Sequence, residues 1–242
     1  MLDLETIYSI INIAVYVLAY LISVTLVGYL RGSIVVAMGD YTPKHLGLLS
    51  LNPLRHLDPI GMLLLLIPPH VGWGRYWAVN SLYIHPPHRR IKLACAYLAG
   101  SIGYFLLAMF AIIVLEFSFG TSILGIAKAF MARGTMVRFD NIVLLSKIYP
   151  NHQPIMFVIA FITLVIGHVG MLFGSLYFIF DGLHFGIQIA SEKYSKLRDL
   201  EPWRLMLVVI ICALLFSGLV HAIALSTIIN IGLVVGTIFG LA

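Results

Sequence analysis

Few side chains in this sequence could do chemistry, and most of them lie among apolar neighbours. Asp181-Gly182 is followed by His184, which on a helix would share a face with the aspartate. An Asp–His couple can orient and move a proton, but group transfer also needs a nucleophile within reach. Ser175 stands more than two helical turns before His184, so the trio does not read as a hydrolase site. His168 and His221 each sit well inside an apolar run. Ionisable groups at membrane depth are candidates for function, and two facing imidazoles could hold the iron of a haem b in an electron-transfer subunit. The plainer reading is a pair of neutral histidines, each bonded to a carbonyl or a serine. His85 and His88 have a metal-like spacing, but Pro86-Pro87 between them prevents the helix that would put both rings on one face. A solvated loop is the expectation there. Cys95 and Cys212 lie in apolar runs and read as packing residues rather than a disulfide. The sequence has no glycine-rich phosphate loop and no cysteine-rich metal cluster.

The elements that must position these groups are membrane helices. The chain is 61% hydrophobic and only 10% charged, whereas a soluble domain carries about a quarter charged residues to cover its surface. Its mean hydropathy is +1.02. Four uncharged runs, Thr6 to Leu30, Leu93 to Leu115, Ile148 to Phe180 and Leu205 to Ala242, exceed the roughly 20 residues that cross the hydrocarbon core. The last is long enough for two passes, with a break near Gly218, His221 or Gly232. An all-α polytopic membrane protein of about five to six spans follows, with spans near 6–37, 91–116, 154–182, 204–222 and 223–242 in a single integral domain. The acidic start Met1-Leu2-Asp3-Leu4-Glu5 lacks the basic region of a secretory signal, so the first run is read as a retained helix.

Charge distribution sets the orientation. Arg75, Arg89, Arg90 and Lys92 precede the second run, and Lys193, Lys196, Arg198 and Arg204 precede the last. The positive-inside rule puts both clusters in the cytoplasm. Arg31 and Lys44 then fall inside as well, and 117–150 falls outside, against the pull of Lys128, Arg133, Arg138 and Lys147. Orientation and contact with anionic lipid account for the net charge of +5. Lipids and other membrane subunits are the expected partners, and no nucleic acid is called for.

Two stretches depart from simple spans. Gly39-Asp40, Pro43, Asn52-Pro53, Asp58-Pro59, Pro68-Pro69 and Pro86-Pro87 punctuate 41–90 too closely for a straight helix. Its apolar island Ile60 to Ile67 suits a re-entrant or interfacial piece, which needs protein cover for its open backbone. Trp73, Tyr76 and Trp77 around Arg75, and Trp203 beside Arg204, read as headgroup anchors. In 117–150, Ile123, Leu124, Ile126, Ala127, Phe130 and Met131 recur at helical spacing with Lys128 and Arg133 off that face. This describes a surface-lying amphipathic helix or a partner-facing one.

Several motifs carry a resemblance. Gly39-Asp40-Tyr41-Thr42-Pro43-Lys44-His45-Leu46-Gly47, then Leu51-Asn52-Pro53-Leu54-Arg55-His56-Leu57-Asp58-Pro59-Ile60-Gly61, resembles the loop after the zinc helix of bacterial site-2 proteases, a family of intramembrane zinc metalloproteases. Gly72-Trp73-Gly74-Arg75, Val79-Asn80, Arg89-Arg90, Leu98-Ala99-Gly100, Phe180-Asp181-Gly182-Leu183-His184 and Leu200-Glu201-Pro202-Trp203 resemble later blocks of that family, in the family's order. The resemblance implies a bacterial inner-membrane protein with a zinc held by two histidines of a His-Glu-x-x-His helix and an aspartate from a later helix. The glutamate would activate the zinc-bound water.

Carried over position by position, that motif falls on Val27-Gly28-Tyr29-Leu30-Arg31. Valine offers no ligand atom, glycine no side chain, and arginine a fixed positive charge where the cation would sit. Asp181 keeps the position of the third ligand, and one carboxylate does not hold zinc against water. The family's extended, proline-bearing stretch before the aspartate is replaced by Phe173-Gly174-Ser175-Leu176-Tyr177-Phe178-Ile179-Phe180, which reads as continuous helix. The site residues are therefore structural rather than catalytic: Arg31 and Asp181 as an ion pair replacing the zinc cross-link, or Asp181 as an interfacial residue capping a turn with Gly182. No cofactor or metal is expected. The leading reading is a catalytically inactive site-2-protease-like accessory subunit of a larger membrane complex. The alternatives are a pseudoprotease that binds or sequesters single-span clients, an active metalloprotease with a rebuilt site, or the haem subunit.

Overall fold

The computed structural model describes residues 3–67, 72–132, 145–194 and 202–241, and among them every regular element is helical. Pro68-Pro69, Arg133, Arg138, Lys196, Arg198 and Leu200-Glu201 lie outside the described residues, as do the side chains of Lys193, Trp203, Arg204 and Cys212.

Helix α1 (Leu4–Ala37) starts at Asp3, whose carboxylate accepts the Thr6 N–H at 2.9 Å. Those bonds from Thr6 hold the Asp3 carboxyl below its usual range. Glu5 in the first turn complements the helix dipole. At 1.5 Å per residue α1 is about 51 Å long, well beyond the hydrocarbon thickness.

The proline-punctuated segment then folds back on α1 through short pieces. Helices α2 (Thr42–His45), α3 (Pro53–His56) and α4 (Pro59–Leu66) each begin with proline in the first turn, where its missing N–H costs nothing. Asn52 caps α3 through Leu54 N–H at 3.0 Å, and Asp58 caps α4 through Gly61 N–H at 2.9 Å. α4 has 8 residues, too few to cross a bilayer. Residues 72–80 form no regular element and lead into a 3₁₀ turn at Ser81–Tyr83. Tyr20 of α1 staples this segment down. Its hydroxyl accepts Asp58 N–H and lies 3.0 Å from the carbonyl oxygens of both Asp58 and Trp73. Buried Asp40 fixes the other end, accepting Thr42 N–H at 2.9 Å and Asn80 N–H at 2.7 Å.

Helix α5 (Arg89–Phe119) ends where Gly120 takes φ 74°, a conformation that stops the helix at little steric cost. α6 (Ile123–Ala132), α7 (Pro154–Lys193) and α8 (Pro202–Ile238) follow. Among the described residues, α1, α5, α7 and the 218–238 part of α8 are long and apolar enough to span a membrane. The chain is an all-α membrane protein. Its main core threads Tyr20 and Val24 of α1, Tyr104 and Ile112 of α5, Phe161 and Phe173 of α7, and Ile228 of α8. A smaller cluster joins Val35, Leu48, Trp77, Ile84 and Leu93 at the Arg89 end of the bundle.

Several expectations resolve differently here. α8 continues unbroken through Gly218, His221 and Gly232, where the sequence suggests a turn between two spans. Four candidate spans stand among the described residues. The apolar face of α6 does not lie on a surface: Ile123, Leu124, Ala127 and Met131 are buried in the main core, while Lys128 is exposed. Trp77 is no headgroup anchor. It is buried beside exposed Tyr76, turned in toward the bundle. Cys95 is a free thiol on an exposed face of α5 rather than a packing residue.

Candidate functional site

Val24, Val27, Gly28 and Arg31 follow the i, i+3, i+4, i+7 spacing of one helix face, and they line a cavity of about 20 Å³, room for about one water molecule. His56, Gly74, Arg75, Trp77, Gly100, Tyr104 and Tyr177 complete its wall.

Across this face, Arg31 Nη2 lies 3.5 Å from Asp181 Oδ1, and the two side chains are 5% and 3% exposed. Arg31 thus stands 150 positions from its partner, with α5 between them in sequence; the ion pair ties α1 to α7 directly. Trp77 lies flat beneath the cation, with the guanidinium carbon 4.5 Å from the ring centroid, and Tyr177 is at 6.0 Å. Aromatic faces compensate part of the hydration that a buried guanidinium gives up. Tyr177 is itself anchored, donating to the Gly74 carbonyl at 3.2 Å. Gly100 of α5 leaves space for the pair: a methyl group there would come 3.2 Å from Asp181 Oδ2 and 3.3 Å from Arg31 Cδ. Arg31 Nε and Asp181 Oδ2 make no hydrogen bond.

His56 occupies the remaining space. Its Nε2 lies 2.8 Å from the Ser50 carbonyl, which can only accept, so Nε2 carries the proton and a neutral ring leaves Nδ1 as an acceptor. That nitrogen points at Gly28, where an added Cβ would approach it to 2.3 Å. The imidazole therefore fills the volume that a side chain at position 28 would need. In the sequence His56 stands only within its motif; this contact, like the placement of Gly100 and of the Trp77 ring over Arg31, is not legible there. The signal for His56 was a histidine in a short capped helix, with nothing local to say what it would face.

The other candidates scatter. His184 Nδ1 donates to Phe180 O at 2.8 Å on its own helix, and its ring sits 6.4 Å from that of Tyr76. Ser175 Oγ donates to Met171 O at 2.7 Å and is buried in the bundle. His168 is fully buried with its ring 6.3 Å from that of Tyr16. His221 Nε2 donates to the Met131 carbonyl at 2.8 Å, so that nitrogen is engaged by backbone. His85 and His88 are exposed. Among the described residues, no three His, Cys, Asp or Glu side chains converge to hold a metal ion.

The fold and this site define a class: a helical membrane protein whose first and third long helices are cross-linked by a buried ion pair. In comparison with curated proteins, the chain is similar to "Putative zinc metalloprotease YwhC" of Bacillus subtilis (strain 168), 32% identical over 110 residues. The match covers 45% of this chain and 49% of that protein, so the chain spans about half the length of the curated relative it matches. No family model matches the chain, and no solved structure matches it. The residues present do not fit a zinc ion at this place. Val27 has no donor atom, and the Arg31 guanidinium lies against the one carboxylate that could serve.

Proposed function

We propose that this protein is a site-2-protease-like membrane protein without protease activity, serving as a structural or accessory subunit of a larger membrane complex. The observation that carries the reading is the buried Arg31–Asp181 pair. A metalloprotease of that family uses this space for a cation, two imidazoles and a general base. Here a guanidinium supplies the positive charge permanently, and the His56 ring takes the place of a side chain at Gly28. Such an arrangement holds helices together and lacks the donor set that would bind a metal to activate a water. The similarity to a metalloprotease-like protein supports the family, and the continuous α7 through 173–180 leaves no extended segment there to present a substrate.

The test is mass spectrometry of the native complex after gentle solubilisation. A fixed stoichiometry with one or more membrane subunits supports the reading. A monomer that cleaves single-span membrane substrates overturns it.

A further inference from the structure

Glu116 is a second buried carboxyl, far along α5 from the site above and unused by it. It lies one turn before Gly120, is 0% exposed, and neither of its oxygens has a hydrogen-bond partner. Among the described residues no charged group acts on it. What covers it is the main chain of α8. A Cβ added at Gly236 would fall 2.0 Å from Glu116 Oε1, and one at Gly232 would fall 3.5 Å from Oε2. The two glycines sit one turn apart and form a notch that lies directly on the carboxyl. Just beyond, the Leu241 carbonyl accepts the Thr121 N–H at 3.2 Å, pinning the end of α8 to the α5–α6 turn.

We propose that Glu116 is a proton-binding site that couples proton concentration at this end of the bundle to the docking of the last turns of α8. A neutral carboxylic acid can lie under the Gly232–Gly236 notch. An ionised one would be buried with no counter-charge among the described residues, and its desolvation cost disfavours the docked state. Deprotonation therefore releases the end of α8 and lets water reach the carboxylate.

Among the described residues, the groups around it leave the coupling to Glu116 itself. Ile112 on α5, Thr121 in the α5–α6 turn, Leu124 on α6 and the two glycines of α8 face the notch, and none titrates. Lys128 on α6 is exposed. Tyr149 is bonded to the Ser122 hydroxyl, and His152 stacks on Phe119 with Nε2 on the Ser118 carbonyl. On α7, His168 faces Tyr16 and Asp181 faces Arg31, while His221 of α8 holds the Met131 carbonyl. The sign follows: the docked state binds the proton more tightly than the released state, so docking is strongest at low pH and weakens as pH rises.

The experiment is hydrogen–deuterium exchange of residues 232–241 in the full chain, reconstituted in lipid nanodiscs, at about pH 5 and about pH 9, corrected for intrinsic rates. The wild type is expected to lose at least about tenfold in protection at the higher pH, the factor that one unit of differential proton affinity gives. Glu116→Gln is expected to stay protected at both. A wild type whose protection does not change, or a Glu116→Gln variant that keeps the change, overturns the proposal. Gly236→Ala tests the geometry separately, and does not depend on the Gln variant folding. It should expose the segment at both pH values, and adding Glu116→Ala should restore protection. Full protection in Gly236→Ala alone also overturns the proposal.

Discussion

Arg31 and Asp181 meet with 3.5 Å between Nη2 and Oδ1, both almost wholly buried, in a contact that joins the first long helix to the one that carries the chain's Asp-Gly pair. Gly100 on a third helix lies against both side chains. Three helices thus converge on one ion pair, and its energetics follow from burial. Two charges out of water lose hydration that their mutual attraction returns only in part. Removing one alone is worse, because the survivor keeps the cost and loses the partner.

A double-mutant cycle on this pair therefore has a distinctive pattern. Arg31→Met and Asp181→Asn should each lower stability by about 3–5 kcal/mol. The double variant should lose less than the sum of the two. Thermal unfolding of the purified protein in a fixed detergent measures this, and simple additivity would argue against direct coupling.

Gly100→Ala should act on the same pair without touching either charge. Its methyl group would press on Asp181 Oδ2 and Arg31 Cδ at 3.2 and 3.3 Å, and overpacking of this kind costs about 1–3 kcal/mol. The expected outcome is a lowered unfolding temperature that shrinks in an Arg31→Met/Asp181→Asn background. An equal loss in both backgrounds would place the effect elsewhere on α5.

Trp77 supports the cation by its face. Trp77→Phe keeps an aromatic ring beneath the guanidinium, whereas Trp77→Leu keeps only apolar bulk. The difference between them reports the cation–π contribution, expected at about 1–2 kcal/mol for a desolvated arginine. If Leu and Phe behave alike in thermal unfolding, the ring contributes packing only.

Position 28 and His56 should be coupled as well. Gly28→Ala alone drives a methyl group to 2.3 Å from His56 Nδ1 and should destabilise the fold. In a His56→Ala background the same change should be close to neutral. Unfolding curves of the four proteins decide it, and a Gly28→Ala variant as stable as wild type would mean that the His56 ring moves aside freely.

What the sequence made legible was the part fixed by local pattern. Uncharged runs mark α1, α5 and α7, and closely spaced prolines mark the broken segment after α1, because both signals act within a few residues. Arg31 and Asp181 could be paired on paper because the motif resemblance aligns both with the ligand positions of one metal site. His56, Trp77 and Gly100 could not be read in the same way. Their roles depend on how α3, the irregular stretch 72–80 and α5 pack against α1, which no local spacing encodes. Trp77 illustrates the difficulty: a tryptophan near arginine looks like a headgroup anchor until packing against Arg31 turns it inward. The continuity of α8 was hidden for another reason. A glycine inside a helix costs only about 1 kcal/mol, so Gly218 and Gly232 could not fix whether the chain would turn or continue.

Under the proposed function, the Arg31–Asp181 pair takes the place of a zinc site. The most direct measurement is the zinc content of the full chain, purified without chelators from zinc-supplemented cells, compared with its Asp181→Asn variant. The expected result is far less than one zinc per chain in the wild type, unchanged by the substitution. One zinc per chain that is lost in Asp181→Asn would contradict it.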